Sequence, residues 1–136
     1  MTAYATASPA AYKQQSIMTA TPGRLVVMLY DGAIRFLRQS ATAMRTGNRE
    51  VTVNRLNRAG AIIDELNISL DMNQGEVASN LRSIYLFARR HMTEALIEQD
   101  PEKLEAVARL LADLREAWAQ IADQGMPGAG DAAAAR

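Results

Sequence analysis

The sequence predicts an all-α protein: an antiparallel up-down four-helix bundle preceded by a short N-terminal helix or arm. Three observations carry this expectation. Four long stretches repeat apolar residues in steps of three and four, the spacing that lines one face of a helix. Each stretch is bounded by residues that start or stop helices. The connections between them are a few residues long, which makes sequence neighbours pack side by side in opposite directions.

Residues 1–11 are small and polar with Pro9, and bury too little to order themselves, so they read as an arm, with a short helix around residues 12–18. Thr21 followed by Pro22 supplies an N-cap oxygen and a residue suited to the first helical position. The first helix then runs to Gly47, which can take the left-handed conformation that ends helices, with Asn48 beside it. A second helix covers about residues 50–70, with Leu56, Ala59, Ile63, Leu66 and Leu70 on one stripe. The segment DMNQG, residues 71–75, is a tight connection. The third helix carries Val77, Leu81, Ile84, Ala88 and Ala95 in the same rhythm, broadened by Met92 and Leu96. Asp100 and Pro101 repeat the cap-plus-proline start, and Leu104, Val107, Leu111, Leu114, Trp118 and Ile121 alternate three and four along the fourth helix. Beyond Gly125 the chain falls into Gly, Ala and Pro. The expected organisation is an N-terminal arm over residues 1–20, a bundle over 21–123 and a disordered tail over 124–136. The core is expected to hold Leu56, Ile63, Leu81, Ile84, Leu111 and Leu114.

A chain of 136 residues suits one domain. Lys and Arg total 15 and Asp and Glu total 15, so no overall field draws it to nucleic acid or to an anionic membrane. With 0 Cys, disulfides, thiol catalysis and thiolate metal sites are excluded. The first twenty residues lack the apolar core of a signal peptide, and no uncharged apolar run approaches the roughly 20 residues of a membrane span. A soluble, cytoplasmic protein without membrane insertion is expected.

The stretch TPGRLVVMLYDGAIRFL, residues 21–37, carries more apolar residues than one helix face can use. Successive residues turn by about 100°, so Val26, Val27, Met28, Leu29 and Tyr30 point in every direction around the axis. Leu25, Leu29 and Phe36 suit one stripe, Val26, Tyr30, Ala33 and Leu37 another, and Val27 with Ile34 a third. Either the helix is central and covered on two sides, with the arm laid across it, or part of it is a groove for a partner's amphipathic segment. The two readings are compatible if the arm is a removable cover. Gly32 and Gly60 fall inside helices, where each costs about 1 kcal/mol relative to Ala. Close helix approach is the simpler explanation, a notch for a ligand chain the other. The 7 Met residues suit an adaptable surface as well as a core.

No catalytic constellation is found. His91, the single histidine, sits beside Arg89 and Arg90, as on a solvated basic face. A di-iron bundle needs Glu three residues before His, and position 88 is Ala. A histidine phosphotransfer domain usually places Lys and then Gly just after its His, whereas Met92, Thr93, Glu94 and Ala95 follow here. No Gly-rich phosphate loop is present. Catalytic residues, metals and cofactors are expected to be absent.

YKQQSIMTATPGRLVVMLYDGAI, residues 12–34, resembles the signature of the flagellar secretion chaperones, the FliS family. In that family a Tyr, a β-branched residue, a Thr/Ser-Ala-x-Pro cap and Leu-x-x-Met-Leu-Tyr-Asp-Gly-Ala follow in order. The likeness continues through AIIDELNISLD, residues 61–71, and GEVASNLRSIYLFARR, residues 75–90, and ends with Trp118. Departures lie at the ends, in a longer arm with an additional Tyr4 and in the Ala-rich tail. The resemblance implies a cytoplasmic, non-enzymatic export chaperone that binds the disordered C-terminal segment of flagellin and prevents premature polymerisation before secretion. It also implies that the N-terminal segment lies over part of the empty groove and moves when the client binds. By position, the family's Tyr is Tyr12, with Ile17 as its apolar companion. The expected flagellin-binding residues are Tyr12, Ile17, Leu25, Met28, Leu29, Tyr30, Ile34 and Tyr85. The flagellar export apparatus or a regulatory protein is a further partner the resemblance leaves room for. The alternative is a histidine phosphotransfer or other signalling bundle acting through His91.

Overall fold

The computed structural model describes residues 22–123, so the arm over residues 1–20, Thr21 and the tail over 124–136 lie outside the described residues. Four helices follow one another: α1, Pro22–Arg45; α2, Arg49–Ile68; α3, Glu76–Glu98; and α4, Pro101–Asp123. A 3-10 turn, Met72–Gln74, lies between α2 and α3, and no strand occurs among the described residues. The helices form the expected all-α bundle. α1 packs most extensively against α4 and α2, and α3 closes the ring against the same two helices.

The punctuation works as its residue types dictate. At the end of α1, Gly47 takes φ 76°, its N–H donates to Met44 O at 3.2 Å, and Asn48 N–H donates to Ala43 O at 2.9 Å. These are the two bonds of a Schellman motif, which satisfies carbonyls the helix itself leaves open. Asn48 then caps α2, its side-chain oxygen accepting from Val51 N–H at 3.2 Å. Asp100 caps α4 in the same manner, accepting from Glu102 N–H at 3.0 Å.

The surplus of apolar residues on α1 is explained first by its position. On one flank Gly32 receives Ile62 of α2 and Ser40 Oγ donates to Thr52 O at 2.8 Å. On the other, Asp31 accepts from Arg115 Nε of α4 at 2.8 Å, and Arg45 reaches Glu102 and Glu105 at 2.7 and 3.0 Å. Between the flanks, Tyr30, Ala33 and Leu37 enter the core, all fully buried. The helix therefore spends its three apolar stripes on three sets of neighbours.

Leu56, Ile63 and Leu111 are buried as expected, whereas Leu81, Ile84 and Leu114 are only half-buried. On α3 the buried residues are Ala78, Tyr85, Ala88, Met92 and Ala95, while Val77 is 67% exposed. Ala88, Met92 and Ala95 of the expected stripe are inside, Leu81, Ile84 and Leu96 lie at its edge, and Tyr85 and Ala78 take the inner place expected of Val77. On α4, Ala108 and Ala119 join Leu104, Val107 and Leu111 inside, and Ile121 lies outside. Small residues on this side let α4 approach α1.

Neither internal glycine marks backbone contact. A Cβ on Gly60 would fall 2.1 Å from Arg89 Nη1, so the missing side chain makes room for a guanidinium from α3. Arg89 Nε also donates to Asp64 at 3.0 Å, tying α3 to α2. A Cβ on Gly32 would meet Ile62 Cδ1 at 3.2 Å.

Candidate client-binding cleft

At the end of the bundle where the chain passes from α2 to α3, residues of all four helices line an apolar cleft of about 350 Å³. Val26 comes from α1, Leu66 from α2, Leu81 and Tyr85 from α3, and Trp118 from α4. Ser69, Leu70, Asp71, Val77 and Ala78 complete the wall. The turn beside the cleft is held by its own polar groups. Ser69 Oγ donates to Leu66 O at 2.8 Å, Asp71 Oδ1 accepts from Asn73 N–H at 3.0 Å, and Gly75 takes φ 78° to begin α3. The rim polar groups thereby shape the backbone, and the lining is left to aliphatic and aromatic carbon. Around the same turn Ile68, Met72 and Val77 remain exposed. Such a surface binds by burying apolar area.

Beneath the cleft, Tyr85 and Tyr30 meet hydroxyl to hydroxyl at 2.5 Å, with ring centroids 6.5 Å apart. Burial pushes both phenols above their ordinary value, and for Tyr85 the bond to Tyr30 pushes further in the same direction. For Tyr30, hydrogen bonding with Tyr85 and Trp118 partly offsets the effect of burial. Both stay neutral over the whole physiological range. The pair ties α1 to α3 across the bundle axis, under the cleft floor.

The expected binding residues are thus divided. Tyr85 lines the cleft, whereas Tyr30 is fully buried and supports Tyr85 from below. Tyr30 lies in the core, where its phenol finds its partner. Ile34 is likewise buried, at the base of a shallow depression on α1 bordered by Asp31, Arg35 and Arg38. Leu25, Met28 and Leu29 are half-buried along α1, and Leu29 packs against the core. Tyr12 and Ile17 lie outside the described residues. Leu66, Leu70, Leu81 and Trp118 serve twice, in or against the core as their periodicity predicts and in the wall of the cleft.

His91 is packed against its own helix. Its ring stacks on Phe87 with centroids 4.9 Å apart, and Nδ1 lies 3.4 Å from the Glu94 carboxylate. No three His, Asp or Glu side chains converge as metal ligands among the described residues. No helix there is long and apolar enough to cross a membrane.

Comparison with known proteins fixes what kind of bundle this is. Residues 4–125 match the family described as flagellar protein FliS. The chain belongs to the FliS family. It is 37% identical over 110 residues to the flagellar secretion chaperone FliS of Bacillus subtilis (strain 168), covering 81% of this chain and 82% of that one. It is 37% identical over 116 residues to the FliS of Vibrio cholerae, covering 82% and 85%, and 34% identical over 110 residues to that of Salmonella typhimurium, covering 79% and 82%. The chain is thus a member of a family of flagellar secretion chaperones, and the bundle is a chaperone scaffold.

Proposed function

We propose that this protein is a cytoplasmic export chaperone for flagellin, holding the disordered C-terminal segment of the client and preventing polymerisation before secretion. The observation that carries the reading is the apolar cleft, to which all four helices contribute and which adjoins exposed Ile68, Met72 and Val77. A disordered segment that folds on binding gains from a preformed apolar groove, because the groove contributes the burial that the segment lacks alone. Each large apolar side chain buried is worth roughly 1.5–3 kcal/mol, so two or three anchors hold a segment reversibly. Tyr12 and Ile17 belong to the proposal as a displaceable cover. Two anchors hold a short arm down and yield to a longer amphipathic client.

Calorimetric titration with full-length flagellin and with flagellin lacking its C-terminal segment tests this. The full-length client binds and the truncated one does not, and Val77→Glu, at an exposed position that the fold does not need, weakens binding at least tenfold. Equal binding of both flagellins would place recognition in another part of the client. Full affinity in Val77→Glu would place the groove elsewhere on the bundle.

A further inference from the structure

The middle of the bundle gathers positive charge on α1 and α2 that it does not neutralise. Between Gly32 and Asn48 the chain holds Arg35, Arg38 and Arg45 and no acidic residue, and between Val51 and Ile63 it holds Arg55 and Arg58 and none. Gly32 beside Ile62, Phe36 beside Arg58 and Ser40 beside Thr52 set the register of these two antiparallel helices. That register places Arg38 and Arg55 at one level, with Arg35 and Arg58 about one turn away. Arg45, Arg89, Lys103 and Arg115 each hold a carboxylate of another helix. Among the described residues no carboxylate pairs with Arg35, Arg38, Arg55 or Arg58. Arg55 donates to the Asn54 side chain, and Arg35 and Arg58 lie over the same Phe36 ring, 5.2 and 5.9 Å from its centroid. Each pair stands three residues apart on its helix, a spacing at which like charges repel, so the fold alone gains nothing from them.

The surroundings indicate what complements this charge. Arg35 and Arg38 border the shallow depression on α1, whose floor holds Ile34 and Ala43; its one acidic neighbour, Asp31, is held by Arg115. The first 21 residues of the chain carry Lys13 and no acidic residue, so they offer no complement. Single-stranded nucleic acid stacks on open ring faces, whereas Phe36 is half-buried and already covered by two guanidiniums. A bilayer surface is entered by exposed large apolar side chains, and among the described residues these occur from Ile68 onward, away from the arginines. A helix bearing carboxylates three and four residues apart matches both arginine pairs, and its apolar side chains fit the floor of the depression.

We infer that this basic seam of α1 and α2 is a docking surface for an acidic amphipathic helix of a second protein. The stacking on Phe36 holds two of the guanidiniums in place before the partner arrives, which lowers the ordering cost of binding. The seam shares no residue with the wall of the cleft, so the two surfaces can be occupied together.

Fluorescence titration of the full chain tests the inference, with a helical peptide of about 16 residues that carries Glu at three- and four-residue spacings beside a stripe of Leu. Such a peptide is about 24 Å long and spans both arginine pairs. It binds at micromolar concentration and weakens about tenfold between about 50 and about 300 mM salt, while the same peptide with Gln for Glu does not bind. Arg38→Glu and Arg55→Glu each weaken binding about tenfold or more, because each turns an attraction into a repulsion. Arg82→Glu, a reversal at an exposed position of α3, binds as the parent does. The two seam variants keep the parent's urea midpoint and its flagellin affinity, so lost peptide binding is neither lost folding nor a damaged cleft. No binding of the Glu peptide up to about 1 mM overturns the proposal, as does an equal loss in Arg82→Glu. Tighter binding of a single-stranded oligonucleotide or of phosphatidylglycerol vesicles, abolished by the same two variants, would give the seam to a polyanion and overturn it. Loss of flagellin binding in Arg38→Glu or Arg55→Glu would make the seam client surface, and would equally overturn it.

Discussion

At the scale of single residues, the bundle turns on a few polar groups placed among carbon. Tyr30 and Tyr85 satisfy each other, so removing one hydroxyl strands the other in a buried site. Tyr30→Phe and Tyr85→Phe should each cost about 1–3 kcal/mol. The double variant should cost clearly less than their sum, because neither phenol is then left facing a missing one. Urea melts of the four proteins of this cycle measure it, and strict additivity would mean the two hydroxyls act separately. Gly60 makes the opposite case. The Cβ of Gly60→Ala would displace only the far end of Arg89, and the exposed pair with Asp64 is worth about 0–1 kcal/mol. Better helix propensity returns up to about 1 kcal/mol. The variant should keep its stability within about 0.5 kcal/mol, and Asp64→Asn should have no further effect in its background. A loss above about 2 kcal/mol in denaturant would mean that the guanidinium has no other place to go.

At the scale of elements, caps and turns were the features most legible in the sequence, since each depends on a few neighbouring residues. Gly47, Asn48 and Asp100 do locally what their chemistry requires. Gly47 has nothing within 4 Å of where a Cβ would stand, so its requirement is conformational alone. Gly47→Ala should therefore cost about 1–2 kcal/mol, the penalty for holding an L-residue left-handed, with no change in packing. Thermal melts read this, and an unchanged midpoint would show that the end of α1 frays freely. The phase of α3 was not legible in the same way. The expected stripe held at Ala88, Met92 and Ala95 but not in the first turns, where Ala78 and Tyr85 are buried while Val77 is exposed and Leu81 and Ile84 are half-buried. That small rotation accompanies two contacts between residues distant in sequence, Tyr85 with Tyr30 and Arg89 over Gly60.

At the scale of the whole molecule, the raised phenols give stability a basic limit. The unfolded chain ionises its tyrosines near pH 10, whereas the native Tyr30 and Tyr85 hold their protons higher. Above that value the unfolded state binds fewer protons than the native one, so stability falls as pH rises. It should be flat in this respect below about pH 9 and decline steadily from about pH 10 upward. Replacing both tyrosines with Phe should flatten the decline. Urea midpoints followed with phenolate absorbance between those limits check it, and an equally steep fall in the double variant would assign the decline to other groups.

By itself the sequence determined the all-α class, the helix boundaries to within a few residues, the caps and the family signature, all of which rest on spacing along the chain. It also exposed the surplus of apolar residues on α1. What that surplus does was decided by tertiary structure. α1 lies between α2 and α4, so most of its extra residues are ordinary core, and Tyr30 and Ile34 turn inward. The cleft was likewise beyond the sequence, because its wall is assembled from the far ends of helices that meet only in space. Val26 and Trp118 are neighbours there because the chain starts α1 and finishes α4 at the same end of the bundle. Periodicity reports which side of a helix is apolar; which neighbour that side meets, and where neighbours part to leave room for a client, depends on how four rigid rods of unequal side chains settle against one another.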